Sequence, residues 1–306
     1  MHEVLCIGET MTLVAPVDAT PLADADLFNL HMGGAESTVA LYLAELGHQV
    51  AWASALGNDP LGRRIVDEIS AHGVDTSLVR FSAEAPTGVY FKDPDDGATT
   101  VHYYRRGSAA STMSPSSLDG LPLREVPVVH VSGITPGLSA SCLAMFGTLF
   151  DLCIGSPTRI SFDVNYRPGV WSTERAAPIL LDFARQSDVV FVGRDEAAAL
   201  WGTSDVDSIA ALINGDTHRV QTLVVKDGGV GATELTSAGA VFVAAQSVDV
   251  VEVVGAGDAF AAGYLSGLLT GKDAHGRLSM GHVLAARALS STNDFVPASA
   301  PGSHHG

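Results

Sequence analysis

A Gly-Ala-Gly-Asp sequence at residues 255–258 places two glycines and a carboxylate at the start of a predicted helix. Glycines let a backbone approach a ligand closely, and the first N–H groups of a helix point outward without partners inside the helix. Those donors and the positive end of the helix dipole favour an anion. A carboxylate beside an anion site suits a different task, which is to take a proton from a second molecule. Asp258 is therefore a candidate base.

The same turn lacks the residues of two common phosphate-binding motifs. Phe260 stands where a dinucleotide fingerprint has its third glycine, and no Gly-Lys-Ser/Thr follows as in a Walker A loop. Close packing of a tight loop is also an ordinary use of two glycines, and an Asp in the first turn of a helix is favourable by itself. The turn alone leaves an anion site and an ordinary packing loop equally open.

A second pair of glycines, Gly33 and Gly34, precedes another helical pattern. In that pattern Val39 and Leu43 share one face, and Gly47 supplies a helix stop. The backbone N–H groups of this glycine pair can also approach a ligand, although a glycine-rich loop before a core helix is an equally ordinary arrangement.

Short apolar runs alternate with helical patterns along the chain, and most of the runs end at Gly, Asn or Asp. Such alternation is typical of βαβ units, in which helices cover a mostly parallel sheet. We therefore expect an α/β fold. The predicted strands are Val4–Ile7, Val128–Val131, Ile160–Val164, Val189–Val192 and Leu223–Val225.

A predicted hairpin interrupts this alternation. Strand-like runs at Val89–Lys92 and Thr99–Tyr104 flank a Pro-Asp-Asp-Gly turn. We expect the hairpin to belong to a small β flap that covers a site or pairs with another subunit, on a single domain without a linker. The expected extents are 1–296 for the domain, about 10–32 and 87–106 for the flap, and 297–306 for a disordered tail.

The composition excludes several classes of protein. The chain has 306 residues, of which 46% are hydrophobic, so it can bury a large core, and its apolar runs are too short to span a bilayer. A formal net charge of −17 disfavours nucleic acid and anionic membranes as partners, because binding them requires Lys and Arg. With only 17 Lys and Arg, those inside glycine-rich motifs become candidates for holding a small anionic substrate.

The cysteines and histidines show no metal or disulfide spacing. The 3 cysteines are scattered without Cys-x-x-Cys, and the 11 histidines show no zinc-ligand pattern. We expect the cysteines to be small core residues of a protein in the reduced cytoplasm. A serine nucleophile is also disfavoured, since no Gly-x-Ser-x-Gly elbow occurs.

Taken together, the motifs resemble the ribokinase-like (PfkB) carbohydrate kinases. The segment "VVGAGDAFAAGYL" matches the C-terminal signature of that family, and the Gly33–Gly62 stretch matches its N-terminal signature. Three further segments, "YYRRGSAAS", "SGITPGLS" and "DVNYRPGVW", are similar to 2-keto-3-deoxygluconate kinases. The resemblance extends from the first strand to about Asp294. It implies a three-layer α/β core with a mostly parallel sheet, a small β-sheet flap as a lid, and the cofactors ATP and Mg²⁺.

The resemblance also implies roles for the Gly-Ala-Gly-Asp turn. Asp258 is the implied base that accepts the proton of the attacking hydroxyl. The N–H groups of Gly255, Ala256 and Gly257 are implied to hold the charge that develops on the transferring phosphate. Phosphoryl transfer needs an in-line hydroxyl, neutralised phosphate charge and a site closed to water, which agrees with an anion-binding turn that carries a carboxylate.

On the substrate side, a keto-deoxy-sugar acid carries a carboxylate, and the planar fork of an arginine matches that group. In similar kinases the residues at Tyr103 and Arg105 contact the acid end, and Arg167 is expected to reach the acid or the transferred phosphate. A surface ion pair is the ordinary alternative for either arginine. The implied substrate-binding residues are Gly33, Gly34, Thr38, Tyr90, Tyr103, Arg105, Ile134, Arg167 and Asp294.

On the nucleotide side, "VVKDGGVGAT" resembles the family's loop after a strand, where small residues admit ribose and adenine. Glu196 is the implied metal residue, and it is expected to hold Mg²⁺ through water, as suits a hard oxygen ligand. The implied nucleotide-binding residues are Asn165, Lys226, Gly228, Gly229 and Gly231.

Three positions depart from the family pattern. Gly193 stands where an Asn usually precedes Glu196, so the metal role rests on Glu196 alone. Thr38 stands where the family commonly has Asn beside the sugar, which changes the hydrogen bonds available there. Glu252 replaces an Asp that helps hold a monovalent cation in some relatives, so activation by such a cation is not implied.

The sequence thus predicts a kinase that phosphorylates the terminal hydroxyl of 2-keto-3-deoxygluconate. A kinase for a neutral sugar such as fructose or ribose is an alternative, although it would give Arg105 no carboxylate to hold. A non-catalytic sugar- or nucleotide-binding regulator on the same fold is another, although it would have no use for Asp258. We also expect a homodimer through the flap, because a small exposed sheet with open edges tends to pair.

Overall fold

The computed structural model describes residues 1–18, 20–95, 98–215, 219–291 and 294–298. The strands are β1 (Val4–Ile7), β2 (Met11–Pro16), β3 (Phe28–Gly33), β4 (Val50–Ala53), β5 (Ala55–Gly57), β6 (Arg80–Ser82), β7 (Val89–Asp95), β8 (Ala98–Tyr104), β9 (Val128–Ser132), β10 (Arg159–Asp163), β11 (Val189–Gly193), β12 (Thr222–Asp227), β13 (Gly231–Thr236) and β14 (Gly239–Ala244). The helices are α1 (Ala35–Glu45), α2 (Pro60–Ala71), α3 (Ala140–Cys153), α4 (Thr173–Arg185), α5 (Arg194–Trp201), α6 (Val206–Asn214), α7 (Ala256–Leu269) and α8 (Ala274–Leu289).

The main sheet has eight strands in the order β14-β13-β12-β11-β10-β9-β1-β4. The pairs from β4 to β12 are parallel, whereas β12, β13 and β14 are joined antiparallel. All five predicted strands belong to this sheet. The last of them is longer than predicted, because β12 continues to Asp227. Lys226, expected in a loop after the strand, therefore lies inside the strand.

Helices cover both faces of the main sheet, and the two-residue alternation of the strands separates two cores. In β1, Leu5 and Ile7 face one core with α3, α4, α5 and α6, while Val4 and Cys6 face the other core with α1, α2, α7 and α8. Helix α1 stops before Gly47 (φ +91°), as its pattern predicts. The predicted three-layer α/β architecture is confirmed.

A separate four-stranded sheet, in the order β3-β2-β7-β8, forms the flap. The hairpin β7–β8 pairs Tyr90 with Tyr103, and β2 lies parallel to β7. Met11, Leu13 and Tyr90 form a small core on one face of this sheet. Two residues of the predicted turn, 96 and 97, and residues 299–306 of the predicted disordered tail lie outside the described residues.

The remaining strands, β5 and β6, form a two-stranded parallel sheet. Within the described ranges, no helix is both long and apolar enough to cross a membrane.

Candidate active site

A cavity lies where the flap meets the carboxyl ends of the parallel strands, which is where α/β sheets place their ligands. It contains about 660 Å³ of space not filled by protein atoms, including its open mouth. Glu9 follows β1, Ile134 follows β9 and Asn165 follows β10, so three strand ends contribute to it. The predicted site residues that line it are Gly33, Gly34, Tyr90, Tyr103, Arg105, Ile134, Asn165, Arg167, Gly255, Asp258 and Asp294.

Two residues of the Gly-Ala-Gly-Asp turn, Gly255 and Asp258, line the cavity at the N-terminus of α7, whereas Ala256 and Gly257 do not. Gly255 has a φ of +81°, and a Cβ at this position would lie 2.8 Å from the carbonyl oxygen of Asp294. The position therefore requires glycine for its conformation and for its close approach. The Ala256 N–H donates to the Val253 carbonyl over a long 3.4 Å, whereas Gly257 belongs to the first turn, where amides lack helical partners. This end of α7 can receive an anion.

Asp258 lies in that first turn, and its carboxylate is held by one amide. Asn165 Nδ2 donates to Asp258 Oδ1 at 3.1 Å. Burial, with the nearby charge of Asp163, raises the pKa of Asp258 from 3.8 to about 7, while Arg167 and Lys226 oppose that rise. A carboxylate with such a pKa is suited to accept a proton near neutral pH.

Asn165 is strained and has an unused acceptor. Its φ is +38°, in the left-handed region. Its Oδ1 is buried and has no hydrogen-bond partner among the described residues. Backbone strain and an unsatisfied polar atom in one residue of a cavity are typical of a functional position.

Lys226 lies in β12 and forms an ion pair with the buried Asp163 rather than standing in a loop. Its Nζ lies 2.8 and 3.1 Å from the two carboxylate oxygens of Asp163. A Cβ built on Gly257 would be 3.5 Å from the same Nζ, so the ammonium lies next to the first turn of α7. The lysine therefore supplies positive charge to the turn.

The glycines after β12 separate into two groups. Gly228 and Gly229 line a second cavity with about 610 Å³ of unfilled space, bounded by residues 245–248, Val250 and one face of α8. Gly231 instead belongs to β13, where a Cβ would overlap the Val243 carbonyl oxygen of the neighbouring strand. Its glycine is required for strand packing, and it does not line the cavity.

Glu196 is buried and holds two backbone segments together. Its Oε1 accepts from the Tyr166 N–H at 2.9 Å, and its Oε2 accepts from the Gly193 N–H at 2.7 Å. Arg167 Nη1 lies 3.8 Å from Oε1. Burial raises the pKa of Glu196, and the charge of Lys226 opposes that rise.

These residues fit a magnesium ion that keeps most of its water. Glu196 retains a second lone pair on each oxygen, and Asn165 Oδ1 is an unused hard acceptor. In the part of the chain that the structure describes, no group of three or more His, Cys, Asp or Glu side chains is arranged to hold a metal. Mg²⁺ commonly binds in this way, through water, a few protein oxygens and substrate phosphates.

The flap contributes the aromatic wall. Tyr90 and Tyr103 stack with ring centroids 5.6 Å apart. The Tyr90 hydroxyl lies 3.5 Å from Asp294 Oδ2, and a Cβ at Gly33 would overlap that hydroxyl. Burial raises the pKa of Asp294 to about 6, against the opposing charge of Lys92.

Thr38, predicted beside the sugar, does not line the cavity. It is buried within α1, where its N–H donates to the Gly34 carbonyl at 2.9 Å. The described residues therefore place Gly33 and Gly34, and not Thr38, against the ligand space.

Three charged residues of the cavity were not predicted from sequence. Glu9 accepts from Arg105 and Ser108, and Lys92 Nζ lies 2.8 Å from the Glu252 carboxylate. Glu36 is the third, and its Oε1 accepts from the Ser132 N–H at 3.0 Å. A charge inside an apolar strand pattern, or directly after a strand, is the signal that could have identified Lys92 and Glu9.

Comparison with known proteins agrees with the sequence resemblance. The sequence model for "pfkB family carbohydrate kinase" matches residues 1–299. The chain is 33% identical to a 2-dehydro-3-deoxygluconokinase of Bacillus subtilis (strain 168), over 96% of this chain and 91% of that protein. It is 31% identical to a 2-dehydro-3-deoxygalactonokinase of Haloferax volcanii, over 93% of this chain and 90% of that protein.

A solved structure shares the fold at similar identity. The crystal structure of a PfkB protein from Polaromonas sp. JS666 superposes with a TM-score of 0.88 at 34% identity, covering 95% of this chain and 97% of the other. The family predicted from the two signatures is thus confirmed. This protein belongs to the pfkB family of carbohydrate kinases.

Proposed function

We propose that this carbohydrate kinase transfers the γ-phosphate of ATP to the terminal hydroxyl of 2-keto-3-deoxygluconate. The observation that carries the proposal is that a candidate base, Asp258, and a flap guanidinium, Arg105, line the same cavity. The first suits an alcohol acceptor, and the second suits the carboxylate of a sugar acid. The names of both curated relatives, each more than 30% identical, describe kinases of such sugar acids.

In the proposed reaction Asp258 takes the proton of the substrate hydroxyl. The hydroxyl oxygen forms a bond to the γ-phosphorus as the bond from that phosphorus to the bridging oxygen breaks, and ADP leaves with the bond electrons. The Asn165 amide keeps the Asp258 carboxylate oriented through its hydrogen bond. The proton remains on Asp258 until product leaves.

The anion-binding end of α7 stabilises the transferring group. The N–H groups of Gly257 and its neighbours, at the N-terminus of α7, would stabilise the negative charge that develops on this group. Lys226, fixed by its ion pair with Asp163, adds positive charge next to this end of the helix. Glu196 and Asn165 would hold Mg²⁺ through water, and the ion would supply charge neutralisation on the phosphates.

We place the nucleoside in the second cavity. Gly228 and Gly229 have no side chains to exclude a ribose and a base from it. Val250 lines this cavity, and Val254 and Gly255 line the first one, so only residues 251–253 separate the two linings along the chain. A nucleotide in the second cavity can therefore present its phosphates to the Gly-Ala-Gly-Asp turn.

The acid end of the sugar is assigned to the flap side of the first cavity. Arg105 lies there with its guanidinium carbon 5.5 Å from the centre of the Tyr103 ring. Arg167 lies at the mouth with 51% of its side chain exposed, and its Nη1 donates to the Tyr166 carbonyl. An exposed arginine of this kind can meet the sugar acid or the phosphate as either enters.

Replacing Arg105 with methionine tests the substrate class. We expect the KM for 2-keto-3-deoxygluconate to rise roughly tenfold to hundredfold, since a hydrogen bond to a charged group contributes about 1.5–3 kcal/mol. The kcat/KM for a neutral sugar should fall much less, because only the loss of the ion pair with Glu9 affects it, and steady-state kinetics with both substrates measures the difference. The adjacent, exposed Arg106→Met is the matched control. Equal losses for acid and neutral sugars in Arg105→Met would contradict the assignment.

The activity should depend on pH through Asp258. A protonated carboxyl cannot accept the hydroxyl proton, and the pKa of this group is raised to about 7. We therefore expect kcat/KM for the sugar to fall as the pH drops through about 7 and to level off above it. Initial rates between pH 5 and 9 at saturating Mg·ATP give this profile. An activity that is constant down to pH 5 would show that no base with this pKa takes part.

A kinase for a neutral sugar remains the second candidate, because one observation favours it. Glu9 already neutralises Arg105, so this arginine does not offer an unpaired positive charge to an incoming carboxylate. In that case the Arg105→Met substitution would leave the preferred sugar unaffected in the kinetic comparison above.

We further propose a homodimer that forms through the flap. Its edge strands β3 and β8 have open sides, and four large apolar side chains on them are exposed, with Tyr104 at 69%. Pairing such edges would cover both the open backbone groups and the apolar surface. Sedimentation at micromolar concentration should give a dimer, and Tyr104→Glu should shift it to monomer. A monomeric wild-type protein would contradict this assembly. The exposed side chains are Phe28, Leu30, Tyr103 and Tyr104.

The cellular compartment is inferred from the cysteines. Cys6, Cys142 and Cys153 are all buried and free, so the fold uses them as core residues. We place the protein in the reducing cytoplasm on this ground. Treatment with a mild oxidant should leave the folded protein without new disulfides.

A further inference from the structure

Glu9 and Arg105 form an ion pair that connects the core to the flap. Glu9 follows β1 in the main sheet, and Arg105 follows β8 of the flap. Arg105 Nε donates to Glu9 Oε2 at 2.8 Å, and one terminal nitrogen, Nη2, donates to the same oxygen. The second oxygen, Oε1, accepts from the Ser108 hydroxyl at 2.7 Å. Both oxygens of Glu9 are therefore used in fixing the end of the flap.

The pair leaves one side of the guanidinium available. Glu9 takes the edge formed by Nε and Nη2, and no described residue accepts from Nη1. Arg105 lines the cavity, and its side chain is only 14% exposed. A planar guanidinium held by one edge presents its other donors in a fixed direction.

Without Glu9, the cavity itself offers competing partners to this guanidinium. Asp258 and Asp294 line the same cavity, and both carry carboxyl groups. A flexible arginine has several rotatable bonds and would pair with whichever carboxylate it reached. Pairing with Asp258 would lower the basicity that this residue needs, since an opposite charge nearby lowers a carboxyl pKa.

We propose that Glu9 is a positioning residue that determines specificity for sugar acids, because it holds Arg105 in the orientation that receives the substrate carboxylate. This inference rests on the proposed function. In it, Arg105 bridges two carboxylates, one from the protein and one from the substrate. Since Glu9 already neutralises the arginine, recognition depends on the direction of the free donors more than on attraction between net charges.

A second ion pair of the same kind provides a matched control. Glu234 and Arg277 have side-chain exposures of 2% and 17%, close to the 1% and 14% of Glu9 and Arg105. The Glu234 carboxylate accepts from Arg277 Nε at 2.9 Å and from the Tyr264 hydroxyl at 2.6 Å. Neither Glu234 nor Arg277 lines either cavity described above. Breaking this pair therefore measures how much the loss of a similarly enclosed ion pair lowers stability, without any change at the cavities.

The test compares Glu9→Ala, Glu9→Gln and Glu234→Ala in steady-state kinetics with 2-keto-3-deoxygluconate and ATP. Glu9→Ala should raise the KM for the sugar acid roughly tenfold or more, with the KM for ATP nearly unchanged. Glu9→Gln keeps an oxygen for Arg105 and an amide for Ser108, so its KM should be at or below the wild-type value. Glu234→Ala should leave both KM values unchanged.

A purely structural role would give a different result. If Glu9→Ala and Glu234→Ala lower thermal stability alike and neither changes the KM for the sugar acid, the proposal is wrong. It is also wrong if Glu9→Gln fails to restore the KM although its melting temperature equals that of the wild type.

A second readout is independent of the substrate. The Nε–H signal of Arg105 in ¹⁵N NMR, assigned by its loss in Arg105→Lys, should exchange slowly with water in the wild type and in Glu9→Gln. It should exchange fast in Glu9→Ala, and slow exchange there would overturn the positioning role. If the wild type does not phosphorylate any sugar acid, the proposed function fails, and with it the specificity role, while this signal still decides whether Glu9 orients Arg105.

Discussion

Replacing Asp258 with asparagine is expected to lower kcat by a factor of roughly 10²–10⁴, the usual contribution of a positioned general base. Asparagine has nearly the same shape and can still take part in a hydrogen bond with Asn165, but it cannot accept the hydroxyl proton. Binding of the sugar and of ATP should change little, because the turn and the flap are untouched. Turnover by an ADP-release assay and binding by calorimetry measure the two effects separately.

The same substitution should not destabilise the fold. The folded-state pKa of Asp258 is raised from 3.8 to about 7, so folding takes up a proton in this interval and stability falls as the pH rises through it. The asparagine side chain does not ionise, so the variant does not lose stability in this way. At pH 8 it should melt at the same temperature as the wild type or higher. Asp207→Asn, in the first turn of α6, is the matched control. Full activity in Asp258→Asn would exclude Asp258 as the base.

Replacing Lys226 with methionine should reduce both stability and activity. The change leaves Asp163 as a buried carboxylate without its cation, which typically costs about 3–5 kcal/mol. At about 2 °C per kcal/mol for a chain of this size, the melting temperature should fall by roughly 6–10 °C. The kcat of the protein that remains folded should also fall, because the positive charge next to the anion-binding turn is lost.

A second substitution separates these two effects. Adding Asp163→Asn to Lys226→Met removes the unpaired charge, so thermal unfolding should show partial recovery of stability. Turnover should stay low in the double variant, since the ammonium is still absent. Lys272→Met, at an exposed position, serves as the control for loss of a lysine. If the double variant regained wild-type turnover, Lys226 would have only a structural role.

The main features of the fold follow from local patterns, which is why the sequence predicts them. Alternating apolar runs and helical periods are properties of neighbouring residues, and the eight-stranded sheet between two layers of helices agrees with them. The left-handed Gly255 before α7 likewise follows from a local pattern of glycines at a helix start. The hairpin β7–β8 follows from its turn residues.

The features of the site that the sequence did not predict are contacts between segments that lie far apart in the chain. Glu9 and Arg105 are 96 residues apart, and Lys92 and Glu252 are 160 residues apart. No spacing in the sequence relates such residues, because each pair forms only when the flap packs against the core. The sequence therefore predicted a flap arginine that faces a substrate, but not the buried carboxylate that holds it.

Errors at strand ends have a similar origin. Lys226 was expected in a loop because its segment resembles the family's loop after a strand, yet it lies inside β12, where Asp163 of β10 compensates its charge. Gly231 was expected in the same loop because the segment resembles the nucleotide loop of the family, whereas it begins β13 and packs against the backbone of β14. In both cases the contact that explains the position comes from another strand, and the sequence around the residue does not show which strand that is.

The central claim is that this protein phosphorylates a sugar acid in the first cavity, and a coupled ADP-release assay tests it most directly. The wild-type protein with Mg·ATP would be offered 2-keto-3-deoxygluconate, its galactose-derived epimer, fructose and ribose. We predict turnover with 2-keto-3-deoxygluconate and a much lower kcat/KM with fructose and ribose. The rate with the epimer measures how strongly the enzyme discriminates between the two stereoisomers. Turnover with the neutral sugars alone, or with none of the four, would contradict the account.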